Sequence, residues 1–119
     1  MRNKDISGSV AFGKGKIIGY VKIISNEKDI EKVQDGDILI ITVPSAEFVG
    51  KLKSSGTLKK ASALITEVGG LLSHISIIAR EMKKPCIIGA RNILKTIKDG
   101  DLIEVDANKG IIKILERSK

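Results

Sequence analysis

The chain has 119 residues, of which 42% are hydrophobic, 29% charged and only 3% aromatic, with a formal net charge of +7. That length allows one compact domain whose core must come from Ile, Leu, Val and Ala. A single cysteine, Cys86, excludes an internal disulfide and a cysteine-rich zinc site, and no apolar run approaches the roughly 18–20 residues that cross a bilayer.

The segment Met1–Asp5 lacks the apolar stretch of a signal peptide, so a cytoplasmic protein with no membrane partner is expected. The positive charge does not by itself indicate nucleic acid. The lysines are scattered, and Phe12, Tyr20 and Phe48 are the only aromatic side chains for base stacking. A solvated lysine surface, with docking of an acidic partner as an addition, is the better reading.

Gly8, Gly13, Gly15 and Gly19 punctuate the first segment. They lack the Gly-Lys-Ser/Thr ending of a P-loop and predict a bent or bulged strand region, followed by a strand over Ile17–Ile24. Asn26–Val33 reads as a short helix or a loop. Asp35-Gly36 signals a turn before an apolar strand, Ile38–Thr42. Pro44-Ser45 opens a helix with Ala46, Val49 and Leu52 at helical spacing, broken by Ser54-Ser55-Gly56. Ala63–Thr66 has the length of a buried strand, and Gly69-Gly70 follows as a loop.

Ser73 is an N-cap candidate, and Ile75, Ile78, Ala79 and Met82 form one apolar helical stripe behind it. Lys83-Lys84 suit the helix C-terminal end, and Pro85 stops it. Cys86–Ile88 is a short strand closed by Gly89. Leu102–Asp106 and Ile111–Leu115 form a strand pair joined across Asn108-Lys109-Gly110. The stretch Val33–Ile40 echoes Ile97–Glu104, each with an Asp-Gly-Asp turn before a strand. One turn chemistry used twice accounts for this without a duplication. Strands dominate, so the fold class is α/β, a β-rich sandwich or barrel-like domain.

His74 is the only histidine in the chain. On a wheel of about 100° per residue it lies at the edge of the apolar stripe, with Ile77 and Glu81 close by, so its ring is expected to reach solvent. A lone histidine also serves as an ordinary surface residue, a hydrogen-bonded core residue or a metal ligand. The nearby carboxylates supply no ligand set for a metal, and with one histidine and no paired acid a hydrolytic serine triad is not supported. The setting suits an anion: a helix N-terminus offers N–H donors, Gly69-Gly70 permits close backbone approach, and Ser73 and Ser76 carry hydroxyls.

The combination Thr66, Gly69-Gly70, Ser73-His74, Ala79-Arg80-Glu81 and Pro85, followed by Ile87-Ile88-Gly89, Asp99-Gly100, Val105-Asp106 and Gly110, resembles the phosphohistidine, or mobile swivelling, domain of the phosphoenolpyruvate-utilising enzymes. That family includes phosphoenolpyruvate synthase, pyruvate phosphate dikinase and enzyme I of the sugar phosphotransferase system. The resemblance implies that residues 1–119 form one swivelling β/β/α domain, strand-rich with a few helices packed on its sheets. It implies that His74 is transiently phosphorylated, supported by Thr66, Gly69, Gly70, Ser73, Ser76 and Arg80. The chain departs from the family where Leu72 replaces a Thr, where Ile75 and Ser76 replace two Ala, and where Glu67-Val68 replaces an Asp-Glu pair.

A complete enzyme of this family also needs a nucleotide-binding domain and a phosphoenolpyruvate-binding barrel, for which 119 residues leave no room. The chain is thus expected to bind no metal or cofactor itself. Magnesium and phosphoenolpyruvate or ATP belong on nucleotide-binding or phosphoenolpyruvate-binding partners. The alternative is a noncatalytic interaction module that keeps the fold and an idle histidine. Cys86 reads as a small buried hydrophobe rather than a redox thiol.

Overall fold

A computed structural model describes residues 5–43, 45–70 and 73–118. Pro44, Leu72 and the segment Met1–Lys4 lie outside the described residues. The described strands are β1 (Ile6–Ser7), β2 (Ser9–Phe12), β3 (Lys16–Ile24), β4 (Ile38–Ile41), β5 (Ala63–Ile65), β6 (Cys86–Ile88), β7 (Leu102–Asp106) and β8 (Ile111–Glu116). The helices are α1 (Glu27–Ile30), α2 (Ala46–Ser54), α3 (Thr57–Lys60), α4 (His74–Met82) and α5 (Ile93–Thr96). The strands lie in the order β1-β8-β7-β3-β4-β5-β6-β2.

β3 belongs to two half-sheets. Lys16–Tyr20 pair antiparallel with β7, and Val21–Ile24 pair parallel with β4. The parallel half, β3-β4-β5-β6, is buried on both faces, which is why Ile38-Leu39-Ile40-Ile41 can be apolar at every position. Alternation then sorts the side chains. Leu39, Ile41, Leu64, Cys86 and Ile88 pack with Phe48, Val49, Leu52, Leu58, Ile75 and Ala79 of the helices. Ile38, Ile40, Ala63, Ile65 and Ile87 meet Ile103, Val105 and Ile112 of the antiparallel half, together with Ile93 and Ile97. Helices, parallel strands and antiparallel strands thus form a β/β/α arrangement with two cores.

The glycine-rich start is more than a bend. β1 pairs with β8 at one end of the strand order, and β2 pairs with β6 at the other. Gly8 lies between them, donates its N–H to the Gly110 carbonyl, and has no room for a Cβ, which would sit 2.6 Å from the Ile88 carbonyl oxygen. The strands at the two ends of the order are joined through this residue by the chain itself. A bulge between Val10 and Phe12 bears out the irregular strand.

The two Asp-Gly-Asp turns share one hydrogen-bond pattern. Asp37 Oδ2 accepts from Gln34 N at 2.9 Å, and Asp101 Oδ2 accepts from Lys98 N at 2.9 Å. Both carboxylates are buried. Burial alone pushes the Asp101 carboxyl up. N–H donors from Lys98 and Ser118, with the Arg117 guanidinium, outweigh that and hold it below the ordinary range.

Two details differ from expectation. α3 and α5 are four-residue helices, too short for a hydrophobic period to announce them. α4 ends ahead of Pro85 as expected, capped by Lys83, which adopts a left-handed conformation with φ 58°, so that Lys84 N–H reaches back to the Ala79 carbonyl at 2.9 Å. The Lys84 ammonium does not stay on its own helix. It donates to the Lys59 and Ala61 carbonyls at 2.9 and 2.8 Å, closing the C-terminal end of α3.

Candidate functional site

The parallel strands β4, β5 and β6 all deliver their C-terminal ends to one edge of the sheet, the usual location of sites in open α/β sheets. α4 starts there. Thr66 extends β5 by one buried residue, donating its N–H to the Ile87 carbonyl and accepting from Ala90 N, both at 3.0 Å. Its hydroxyl turns the chain by donating to the Val68 carbonyl at 2.6 Å. Gly69 follows with φ 120°, a conformation that a side chain would strain.

Ser73 caps α4 as its sequence position predicts: its Oγ accepts from Ser76 N at 3.4 Å, and its own N–H donates to the Gly70 carbonyl at 3.0 Å. His74 is the first helical residue and is exposed. Ile75 beneath it is fully buried and anchors that turn. Ile77, one turn along on the same face, is 42% exposed. Glu81 is turned toward Lys53, with 3.7 Å between their charged atoms.

A helix offers no internal acceptor for its first N–H groups, and its N-terminus carries roughly half a positive charge. The first turn of α4 contains no acidic residue to occupy that end. Ser76 differs from expectation in one respect. It is fully buried, and its hydroxyl donates to the Gly70 carbonyl at 2.9 Å, so its proton is not offered to an anion at the helix mouth. Arg80 donates from Nε to the Ser76 carbonyl at 3.5 Å, back onto the first turn.

The chain matches the family described as "PEP-utilising enzyme, mobile domain" over residues 33–110. It belongs to that family. This mobile domain is 38% identical over 94 residues to a probable phosphoenolpyruvate synthase of Archaeoglobus fulgidus, covering 79% of this chain and 12% of that protein. It is 37% identical over 100 residues to rifampicin phosphotransferase of Bacillus subtilis, covering 84% of this chain and 11% of that protein. The chain therefore spans about 12% of the length of a curated relative such as the Archaeoglobus protein.

Among solved structures, enzyme I superposes with a TM-score of 0.59 at 26% identity, covering 72% of this chain and 33% of that one. Aconitase X of Thermococcus kodakaraensis superposes with a TM-score of 0.68 at 17% identity, over 96% of this chain and all of that one, and shares the fold alone.

Among the described residues of the mobile domain, no group of three or more His, Cys, Asp and Glu side chains could hold a metal ion. No described helix is long and apolar enough to cross a membrane. Burial pushes the Cys86 thiol up to about 12, against a smaller opposing pull from Arg80, so it stays protonated and inert in the folded state.

The sequence offered no sign of Arg91 and Lys95. With Glu67, Val68 and Asn92 they line an open depression of about 530 Å³ beside the Gly69-Gly70 turn. The parallel pairing of β5 with β6 brings these two loops together, and no local motif marks the meeting.

Proposed function

We propose that His74 is a phosphoryl carrier, loaded at one partner active site and unloaded at another within a phosphoenolpyruvate-dependent phosphotransferase system. The observation that carries this reading is an exposed imidazole at the first position of α4, in a member of the mobile-domain family. In the loading step a ring-nitrogen lone pair forms an N–P bond while the P–O bond to the donor's leaving oxygen breaks. Unloading is the reverse displacement, with an acceptor oxygen taking the phosphorus.

The chain's own contribution is to present the ring and to place a positive helix end beside the incoming dianion. Thr66, Gly69, Gly70 and Ser73 hold that helix end, and Arg80 supports its first turn. Magnesium and phosphoenolpyruvate or ATP would be held by partner domains, in keeping with relatives whose chains are far longer than this match. A cytoplasmic location fits such partners.

The test is to incubate the chain with magnesium, phosphoenolpyruvate and a partner that carries a phosphoenolpyruvate-binding barrel. An acid-labile, base-stable gain of one phosphoryl group is expected, and none in His74→Ala. Labelling that persists in that variant would remove His74 from the role. A second reading, a noncatalytic interaction module, draws on Ile18 and Tyr20, exposed by 58% and 55% on β3. Absence of labelling with every competent partner would favour it.

A further inference from the structure

Ser76 is the third residue of α4, fully buried, and joined to two groups at the start of the site. Its Oγ lies 2.9 Å from the Gly70 carbonyl oxygen and 3.0 Å from Ser73 Oγ. A hydroxyl has one proton, and a carbonyl can only accept. The Ser76 proton therefore points to Gly70, and the Ser73 proton must point to Ser76. The result is a one-way chain from the helix cap through Ser76 to the Gly70 carbonyl. That carbonyl also accepts from Ser73 N at 3.0 Å, so it is held by two donors on the helix side.

We infer that Ser76 is the positioning residue of this site. It locks the Gly69-Gly70 turn onto the start of α4 and keeps the Gly70 carbonyl dipole turned toward the helix, away from an anion on His74. It also occupies the Ser73 proton, so the cap hydroxyl serves the helix and does not compete for the phosphoryl group. This rests on the reading of His74 as the carrier. It deepens that reading by naming an interior residue, touching neither donor nor acceptor, that fixes the stability of the phosphorylated state.

The test uses the full chain and needs no partner. Potassium phosphoramidate transfers its phosphoryl group to imidazole directly: the N–P bond to the ring forms as the donor N–P bond breaks and ammonia leaves. With one histidine in the chain, ³¹P NMR and intact mass then follow a single site. Ser76→Ala should raise amide exchange at Ser73 about tenfold, the scale of one lost hydrogen bond, and shorten the phosphohistidine lifetime several-fold.

Ser76→Thr, which keeps the hydroxyl, should restore most of both. Ser73→Ala combined with Ser76→Ala should cost less than the sum of the two single changes, because the Ser73–Ser76 hydrogen bond is lost in each. If Ser76→Ala does not fold, Ser76→Cys, similar in size and a weaker donor, replaces it in each comparison. A lifetime within twofold of the wild type, or strictly additive effects, would overturn the assignment while leaving the carrier reading intact. Failure of His74 to load even with phosphoramidate would count against the carrier reading, and exchange at Ser73 would still decide whether Ser76 locks the turn.

Discussion

α2 and α4 begin alike and differ in what occupies their first turns. Each has nine residues, starts at the same edge of the parallel strands, and is capped by a serine, Ser45 or Ser73, whose Oγ accepts from the residue three places on. α2 fills its positive end from within. Glu47 sits in the first turn, with Lys51 within 4.0 Å, and Lys51 also bonds Glu27. The hydrogen bond to Glu27 raises the Lys51 ammonium above its ordinary value. α4 has no acid in its first turn, and the first side chain of the helix is an exposed imidazole. The same cap therefore leads into a first turn that carries its own acid in one helix and into a first turn without one in the other.

The largest effect that sharpens this contrast is His74→Ala, which should remove all phosphoryl labelling, read by intact mass, while leaving the thermal midpoint nearly unchanged because the side chain is exposed. Next come the caps. Ser45→Ala should cost about 1 kcal/mol, and Ser73→Ala toward 2 kcal/mol because Ser76 also loses its donor; urea unfolding measures both. Equal losses would mean that the Ser73–Ser76–Gly70 chain adds nothing.

A smaller effect comes from placing a carboxylate beside His74, one turn into α4. Ile77→Glu should slow phosphoryl loading of His74 roughly two- to fivefold, the usual size of a charge at a helix end. No change in rate would show that the positive end of α4 is not what favours the anion.

The smallest effect at neutral pH lies outside both helices. The serine caps do not titrate in acid, so they contribute no acid dependence. Asp101 does: its folded-state value is lowered, so its stabilisation is present above the ordinary carboxylate value and is lost as pH falls through the lowered one. Urea unfolding of the wild type should therefore weaken below about pH 4, the ordinary aspartate value, and Asp101→Asn should flatten that dependence. Asp106 adds in the same direction. Burial pushes it up, but N–H donors from Asn108 and Lys109, and the charges of Lys16 and Lys109, hold it low.

Much of this was legible in the chain because it is local. Ile38–Ile41, Leu102–Asp106 and the stripe from Ile75 to Met82 follow from apolar runs and periods that need no partner to be read. Ser73 as a cap, and the exposure of His74, follow from one serine and one wheel. Other features were not legible because they depend on residues far apart. Lys84 supports α3 rather than its own helix because packing brings α4 beside α3. Ser76 looked like a donor for an anion, and only its burial against Gly70 shows where its proton goes. Gly8 looked like a bend, yet it joins two strands that pair at opposite ends of the sheet.

By itself the sequence determined the longer elements, the cap, the single imidazole and the family pattern that runs from Thr66 to Gly110. Hydrophobic period and turn chemistry act over a few residues, and a motif is a local record. The tertiary structure alone decided that β5 and β6 bring Arg91 and Lys95 beside the glycine turn, that two half-sheets meet along β3, and that Ser76 is buried against the Gly70 carbonyl. Those outcomes depend on which surfaces meet, and burial and hydrogen-bond satisfaction settle that only once the whole chain is packed.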